Sequence, residues 1–420
     1  MLESIRKMWN VPELRKKIIY TFLMLILYRL VGVIPAPGVD AAKVFSTTAT
    51  NNLPLLELVN MMTGNAFSQM TIMAMGITPY INASIIMQLL CIAIPALERM
   101  SKEEDGREKV NQITRYVTVG LAALQAIGLV AGLGYIRAGW LNYILVGVSM
   151  AGGTALAMWI GERITEKGVG NGVSLLIMVG IVSNLFNGLI SGFRSADTTS
   201  AWVSVIVVIV LFIIMTVVVT FVDMGERRIP LQISKQVKGR RVYGGQNTHM
   251  SLKVISVGVL PLIFAYSFLA FPATIIQLIG GTNSGAYIWW ATNMGTRSPW
   301  YMIVSALLII AFTYFYSAIS FDPKQQAEQL VMQGAVIPGT RGKNIQRYLQ
   351  NTVNHLNLFA ALFLAVLAAV PTLLTAQLNT SIPFAASSIL IAVSVSLETM
   401  RTLQGEMSIR GIDTNVEGFM

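Results

Sequence analysis

The chain contains few of the residues that carry metal, thiol or redox chemistry. Its 420 residues include one cysteine, Cys91, and two histidines, His249 and His355. A single cysteine cannot form an internal disulfide, and neither histidine has cysteines or carboxylates near it at ligand spacing. The sequence also lacks a phosphate-binding motif of the form GxxxxGK[ST]. We therefore predict no metal site and no cofactor.

Charged residues are scarce as well. They make up 12% of the chain against 54% for hydrophobic residues, and the mean hydropathy is +0.63. Apolar segments of about membrane length recur along the sequence, which is typical of a helical protein that crosses the membrane many times. The first segment has no small-residue cleavage site after it, so we interpret it as a retained span. The ten predicted spans are residues 18–35, 76–95, 117–135, 143–160, 173–190, 202–222, 254–279, 300–319, 358–375 and 382–397.

Lysine and arginine divide unevenly between the two sides of these spans. Of the 30, 25 lie on the side that holds both termini, and one, Arg29, lies within the first span. The positive-inside rule then places both termini in the cytoplasm. Because 17 of the 20 acidic residues share that side, the cytoplasmic face carries a net charge of +8, which suits anionic lipid, RNA or acidic protein partners. The four basic residues on the opposite side are Lys43, Arg137, Arg194 and Arg297.

Titratable side chains are nearly absent from the predicted spans. Ion-coupled transporters usually place acidic, basic or histidine side chains at the bilayer midplane. Here only Arg29 and Glu398 come close, and snorkelling or pairing is the favoured interpretation of both. The spans instead carry amides such as Asn82, Gln88 and Gln125, which hold helices together by only about 0.6 kcal/mol each. Helix contacts of this kind can open, although static packing is the commoner use of such residues.

The second span is interrupted at its start. Residues 76–90 read GITPYINASIIMQLL, so an apolar segment opens with a glycine and a proline. Irregular backbone at membrane depth is tolerated only where protein or a water-filled cavity satisfies its hydrogen bonds, and the interruption therefore predicts a cavity. The preceding segment, residues 53–75, is too polar for a lipid-facing span. A short re-entrant helix and an external surface helix fit it equally well.

The ten predicted spans divide into two groups of five that begin on opposite sides of the membrane. This is the topology of an inverted repeat. The second span opens with GITP from Gly76, and its counterpart in the second group contains GVLP from Gly258. A match at two positions in four gives slight support to the repeat.

Two long basic loops lie on the predicted cytoplasmic side. Residues 223–253 contain seven basic and two acidic residues, and partial alternation through Ile229 and Leu231 predicts a hairpin with a basic tip. Residues 322–347 hold Arg341 in a turn between glycines, where a guanidinium suits a carboxylate or phosphate partner. Loops of this length are usually functional or disordered. We interpret the pair as a docking platform, although simple positive-inside bias explains any one arginine equally well.

Five separated motifs carry a resemblance to a known family. They read GITPYINASIIMQLL from residue 76, GERITEKGVGNGVSLLI from residue 161, GRRVYGGQNTHMSLKV from residue 239, LPLIFA with FPATI between residues 260 and 275, and GAVIPGTRGK from residue 334. Together they resemble the SecY family, the channel subunits of the bacterial Sec protein translocase. Because the resemblance runs from the first span to the tenth in matching order, it is far more specific than one short motif.

The resemblance implies an all-α polytopic membrane protein. Its ten transmembrane helices are expected to form two inverted five-helix halves, residues 1–200 and 201–420, around an hourglass pore. A re-entrant plug helix at about residues 53–71 is expected to occupy the outer funnel of the idle channel. Cytoplasmic arms are expected at about residues 223–253 and 322–350.

The resemblance also implies roles for particular residues. The pore waist is expected to be a ring of isoleucines, each of which would by itself be interpreted as a core or lipid-facing residue. The second and seventh spans are expected to form a lateral gate with polar contacts, and basic arm residues are expected to bind SecA or the ribosome. The positions are Ile77, Ile81, Ile177, Ile263, Ile275 and Ile391 for the ring, Asn82, Gln88 and Gln125 for the gate, Leu55, Asn60, Gly64, Asn65 and Ser68 for the plug, and Arg240, Arg241 and Arg341 for docking.

The implied function is that of a protein-conducting channel in the cytoplasmic (inner) membrane. It would move unfolded secretory polypeptides across the membrane and release membrane-protein segments sideways into lipid. The expected partners are SecE, SecG, the SecA motor, the ribosome, signal sequences, translocating polypeptides and anionic lipid, and DNA is not expected. Two alternatives stay open: a secondary transporter for a small solute, which shares inverted repeats and broken helices, and an insertase that passes no hydrophilic chains.

Overall fold

The computed structural model of the chain is mostly helical. It describes residues 10–40, 63–132, 137, 139–194, 199–233, 236–238, 241–243, 247–255, 258, 260–280, 284–294, 298–340, 344–378 and 386–409. The thirteen helices within these residues are α1 (Pro12–Val31), α2 (Thr78–Ala93), α3 (Pro95–Lys102), α4 (Glu104–Gly132), α5 (Trp140–Lys167), α6 (Gly172–Arg194), α7 (Thr199–Asp223), α8 (Leu260–Gly280), α9 (Gly285–Asn293), α10 (Pro299–Ser320), α11 (Pro323–Met332), α12 (Asn344–Leu378) and α13 (Ala386–Ile409).

Each of the ten predicted spans overlaps a long helix. Several helices extend beyond the apolar segment: α4 begins at residue 104 instead of 117, and α12 at residue 344 instead of 358, because a helix satisfies its own backbone hydrogen bonds in water as well as in lipid. Five described helices are long and apolar enough to cross a membrane, and the bent pair α2 and α3 is a sixth candidate. The count of ten spans therefore stays a prediction. The five are Trp140–Lys167, Gly172–Arg194, Val205–Asp223, Pro299–Met332 and Asn344–Val370.

The chain is mostly helical, as predicted, and short strands occur in the loops between the helices. The hairpin predicted by the alternation in residues 223–253 is confirmed: β1 (Glu226–Ile233) pairs antiparallel with β4 (Asn247–Lys253), with Ile229 opposite Met250. Two further strands, β2 (Gln236–Lys238) and β3 (Arg241–Tyr243), pair beyond them. Because β4 continues to Lys253, α8 begins at Leu260 and not at the predicted residue 254.

Proline and glycine set the start of α2, as the sequence predicts. Gly76 has a φ of +53°, which favours glycine, and Pro79 lies in the first turn of the helix, where a missing N–H costs nothing. Gly258 likewise has a φ of +64°, and Pro261 is the second residue of α8. The two GxxP sequences thus begin their helices in the same way. At its other end α2 meets α3 at an angle of 112°.

Large apolar side chains lie both inside the molecule and on its outer surface. One buried cluster joins α1, α2, α5, α6 and α13, and a second joins α7, α8, α10, α12 and α13. The outer faces of α7 and α10 expose many more, including Ile206, Ile213, Ile303 and Leu307. A surface of this kind is compatible with lipid tails and not with water. Since α13 belongs to both clusters, it ties the two parts of the helix bundle together.

Candidate channel and gate

Five of the six predicted ring isoleucines meet in one cluster. Four are buried, with exposed fractions of 4% for Ile77, 7% for Ile81, 4% for Ile177 and 5% for Ile391, and Ile263 packs against them. Ile77 directly precedes α2, Ile81 lies on α2, and Ile177, Ile263 and Ile391 lie on α6, α8 and α13. Separate helices therefore place isoleucines in one cluster. The sixth, Ile275, is 41% exposed on α8. The role of all six as a pore ring stays a prediction.

A cavity of about 430 Å³ lies directly against this cluster. Ile81, Ile177 and Ile263 belong to its wall, together with the apolar Val173, Leu260 and Phe264 and many polar side chains. Arg115 on α4 and Glu162 on α5 form an ion pair of 2.8 Å in that wall. The interruption of the second span predicts a cavity, and the structure has one beside the interrupted helix. Its polar lining includes Ser84, Gln88, Asn111, Thr114, Asn171 and Ser174.

The predicted gate residues lie on contacting helices. The helix α2 packs against α4 and α8, and α4 also packs against α8. Asn82 and Gln88 on α2 and Gln125 on α4 are all half-buried, and Gln88 lines the cavity. The three amides therefore lie on helices that contact each other. Their function as gate contacts is a prediction.

The predicted plug falls partly outside the described residues, which exclude Leu55 and Asn60. Where the chain is described again, residues 64–70 form turns and not the predicted helix. The cause is left-handed backbone at three residues, which a helix does not contain: φ is +63° at Gly64, +71° at Asn65 and +47° at Met70. The Ser68 hydroxyl donates to the Asn65 carbonyl over 3.0 Å, which closes one of these turns. Residues 63–77 are called the turn segment below.

The turn segment is buried, so the alternative of an external surface helix is wrong over these residues. Phe67 and Met73 are only 4% and 1% exposed, and Thr71 forms an antiparallel bridge with Pro35. The Ala36 amide donates to the Met70 carbonyl over 3.0 Å. The segment contributes both to the cluster that holds the isoleucines and to a second cluster with α4 and α5. It therefore lies inside the helix bundle, beside the isoleucines.

Arg29 pairs with backbone carbonyls inside the bundle, which agrees with the pairing interpretation of this residue. It lies in the last turn of α1, where the negative end of the helix dipole favours a cation. Its Nη2 donates to the Val179 carbonyl on α6 over 2.6 Å, and its Nη1 donates to the Gly64 carbonyl over 3.3 Å. Sequence reasoning missed these partners because a helical carbonyl carries no signal in the side-chain pattern. Glu398, in contrast, is exposed on α13.

The described residues of the two predicted arms form one body. Strand β1 of the first arm pairs with β5 (Ala335–Val336) of the second as well as with β4. Ile229 packs with Leu330 and Leu349 in a cluster shared by both arms. Of the predicted docking residues, Arg241 begins β3 opposite Lys238. Arg240 and Arg341 lie outside the described residues.

Comparison with known proteins gives one consistent family. A family model described as SecY matches residues 71–400. The Protein translocase subunit SecY of Streptomyces scabiei is 40% identical over 441 aligned positions, which cover 100% of both chains.

Solved structures agree in fold. A SecY structure concerned with the plug domain and the closed state of the translocation channel has a TM-score of 0.66 at 20% identity, covering 98% of this chain and 99% of that one. Sec61 in a canine ribosome–channel complex has a TM-score of 0.65 at 17% identity, with the same coverage. With a family model over most of its length and a full-length relative at 40% identity, this chain belongs to the SecY family.

Proposed function

We propose that this chain is a protein-conducting channel of the cytoplasmic membrane, which moves unfolded secretory polypeptides across the bilayer and releases membrane-protein segments laterally. The observation that carries the proposal is the cluster of Ile77, Ile81, Ile177, Ile263 and Ile391 beside a cavity whose wall contains many polar side chains. The naming of its relatives as protein translocase subunits supports the same function. As a member of a channel family, the chain is not an enzyme.

The isoleucines act as a seal in this function. A narrow apolar constriction excludes water and ions because it dewets, and it needs no charged side chain. Isoleucine can still adjust its two side-chain torsions around a passing polypeptide of any sequence. The polar cavity gives an unfolded chain a hydrated approach as far as this constriction. The channel therefore excludes ions at rest and admits an extended polypeptide once it opens.

Two elements beside the seal open it. The turn segment, with the residues before it, is the base of a plug, and one relative has a plug domain that stabilises the closed state of its channel. The helices α2 and α8 are the lateral gate, with the two five-helix halves hinged on the opposite side. The amides of Asn82, Gln88 and Gln125 make a joint that a signal sequence can wedge apart. Small polar contacts favour such opening, since each contributes about 0.6 kcal/mol.

The arms bind the cytoplasmic partners. Channels of similar fold have been solved in ribosome complexes, and the net charge of +8 on the predicted cytoplasmic face suits RNA and acidic protein surfaces. SecA is proposed to use the same arms, SecE to clamp the hinge side and SecG to bind nearby. Both termini lie in the cytoplasm by the distribution of lysine and arginine.

A photocrosslinker placed at Ile81 tests the channel directly. In vesicles containing the full chain with SecE, SecG, SecA and ATP, it should form adducts with a secretory precursor stalled in transit. The same crosslinker at Ile213, which is 56% exposed on α7, should give lipid adducts only. Solute flux without precursor adducts would favour a secondary transporter. Insertion of membrane proteins with no protease-protected secretory product would favour an insertase.

A further inference from the structure

Arg29 joins three parts of the molecule at one point. Its guanidinium extends from α1 and donates to the Val179 carbonyl of α6 over 2.6 Å, to the Gly180 carbonyl of α6 over 3.5 Å and to the Gly64 carbonyl of the turn segment over 3.3 Å. Val179 lies two residues beyond Ile177, whose side chain belongs to the isoleucine cluster. A single cationic side chain therefore connects the turn segment to the helix that carries part of the seal.

Gly64 has the backbone conformation and the lack of a side chain that this contact requires, which is an independent observation. Its φ of +63° is a conformation that favours glycine. A Cβ atom at this position would lie within 2.3 Å of Arg29 Nη1 and 2.8 Å of its Cζ. Any larger residue would displace the guanidinium. The turn thus needs glycine both for its backbone and for the approach of Arg29.

We propose that Arg29 is a positioning residue that fastens the turn segment to α6 in the closed channel and so sets how readily the segment leaves. The proposal rests on the proposed channel function. A planar guanidinium offers several donors in a fixed fork and can hold two carbonyls at once, which an ammonium cannot do as well. Hydrogen bonds to a charged donor are also the stronger kind.

The two distances indicate which contact breaks first. The 2.6 Å bond to Val179 is short for a charged donor, whereas the 3.3 Å bond to Gly64 is near the limit of a hydrogen bond. When the turn segment moves, Arg29 stays on α6 and releases Gly64. Opening then costs one weak bond and leaves no bare charge, because the Val179 carbonyl continues to accept. The fastening is therefore reversible.

Hydrogen exchange tests the fastening without relying on transport. In the full chain in lipid nanodiscs, Arg29→Met should speed exchange of the Met70, Thr71 and Ile72 amides by about tenfold, since one charge-assisted bond no longer opposes local opening. These amides donate to the Phe67, Ala66 and Ile34 carbonyls in the closed form. Gly64→Ala should produce a similar increase, and the double variant should add little to either. The matched control, Arg194→Met at the exposed end of α6, should leave the rates unchanged.

Arg29→Lys separates geometry from charge. If the fixed donor geometry of the guanidinium is required, Arg29→Lys should raise the amide exchange rates nearly as much as Arg29→Met. Full protection in Arg29→Lys would show that charge alone suffices and would overturn the proposal. So would unchanged exchange in Arg29→Met, or an equal increase in α12, which would indicate general destabilisation.

Ion conductance in planar bilayers tests the consequence for the channel. The resting conductance should rise in Arg29→Met and Gly64→Ala and stay at the parent level in Arg194→Met. If exchange increases as predicted but the parent protein moves no secretory precursor, the proposed channel function fails while the fastening role stands. A parent that translocates normally, with neither exchange nor conductance altered in Arg29→Met, refutes the fastening role alone.

Discussion

At the scale of single residues, a glycine, which has no side chain, determines how closely the turn segment packs against α5. Gly153 on α5 lies so close to this segment that an added Cβ would be 1.9 Å from the Ile72 carbonyl oxygen. Its neighbour Gly152 has no atom within 4 Å of the same position. One glycine is therefore needed for close packing, and the one beside it faces open space. The buried position of the turn segment depends on this small surface of α5.

The two glycines give a matched pair of variants. Gly153→Ala should lower the free energy of unfolding by roughly 1–3 kcal/mol, because the methyl group overpacks against a backbone carbonyl that cannot rotate away. Gly152→Ala should leave it unchanged or slightly raised, since alanine favours the helix more than glycine does. Thermal unfolding of both proteins in lipid nanodiscs measures the difference. Equal midpoints would contradict the close packing of Gly153 against Ile72.

At the scale of elements, the two arms depend on each other for their core. Ile229 of β1 is 1% exposed, and Ile337 and Leu349 of the second arm are 2% and 0% exposed. All three belong to one cluster, and β1 lies between β4 and β5 in the sheet. Neither arm could bury these side chains alone. The docking platform inferred from two separate basic loops is thus a single folded unit.

This dependence predicts that a substitution in one arm loosens both. Ile229→Ala should cost about 2–5 kcal/mol by leaving a cavity in the shared cluster. Limited trypsin digestion should then cut within residues 322–347 as well as within 223–253, while the membrane helices stay intact. Val336→Ala serves as the control, because Val336 is 41% exposed on the adjoining strand. Faster cleavage in the first arm only would show that the arms fold independently.

At the scale of the whole molecule, the first and last of the described helices meet near the cytoplasmic surface predicted from charge. Lys17 on α1 and Glu406 on α13 form an ion pair of 2.7 Å, and Leu14 packs with Leu403 and Met407 below it. The partly exposed ion pair contributes no more than about 1 kcal/mol, so the apolar contacts dominate. The start of α1 and the end of α13 are therefore held together.

The charge of that face predicts a salt-dependent interaction with the motor. Arg341→Glu should slow SecA-driven translocation about tenfold at low salt, because it replaces attraction by repulsion at the proposed docking surface. The loss should shrink as salt screens the charges. Arg194→Glu, on the predicted external side, should have no effect. Translocation rates in vesicles over a range of salt concentrations measure both, and an unaffected Arg341→Glu protein would remove this residue from the docking surface.

Sequence reasoning predicted where helices begin better than it predicted which side chains form the candidate site. The start of α2 follows from Gly76 and Pro79, whose backbone constraints are local. The left-handed backbone at Met70 is not a local preference; tertiary packing imposes it on a side chain that is buried at 2% exposure. Periodicity also cannot separate Ile177 in the cluster from Ile213 on the outer surface, because lipid and protein interior favour the same side chain. The isoleucine cluster was therefore predictable only from resemblance to a family.

In the proposed channel, the cavity beside the isoleucines would shorten the electrically insulating path through the protein. Water filling it would carry the membrane potential inward as far as Ile81, Ile177 and Ile263, so the voltage would fall over a layer thinner than the roughly 30 Å of hydrocarbon. Each elementary charge that crosses 100 mV gains or loses roughly 2.3 kcal/mol. In the proposed channel the potential would therefore act on the few residues of a polypeptide that occupy this layer, and the sign of their charge would decide whether the field pulls the polypeptide forward or holds it back.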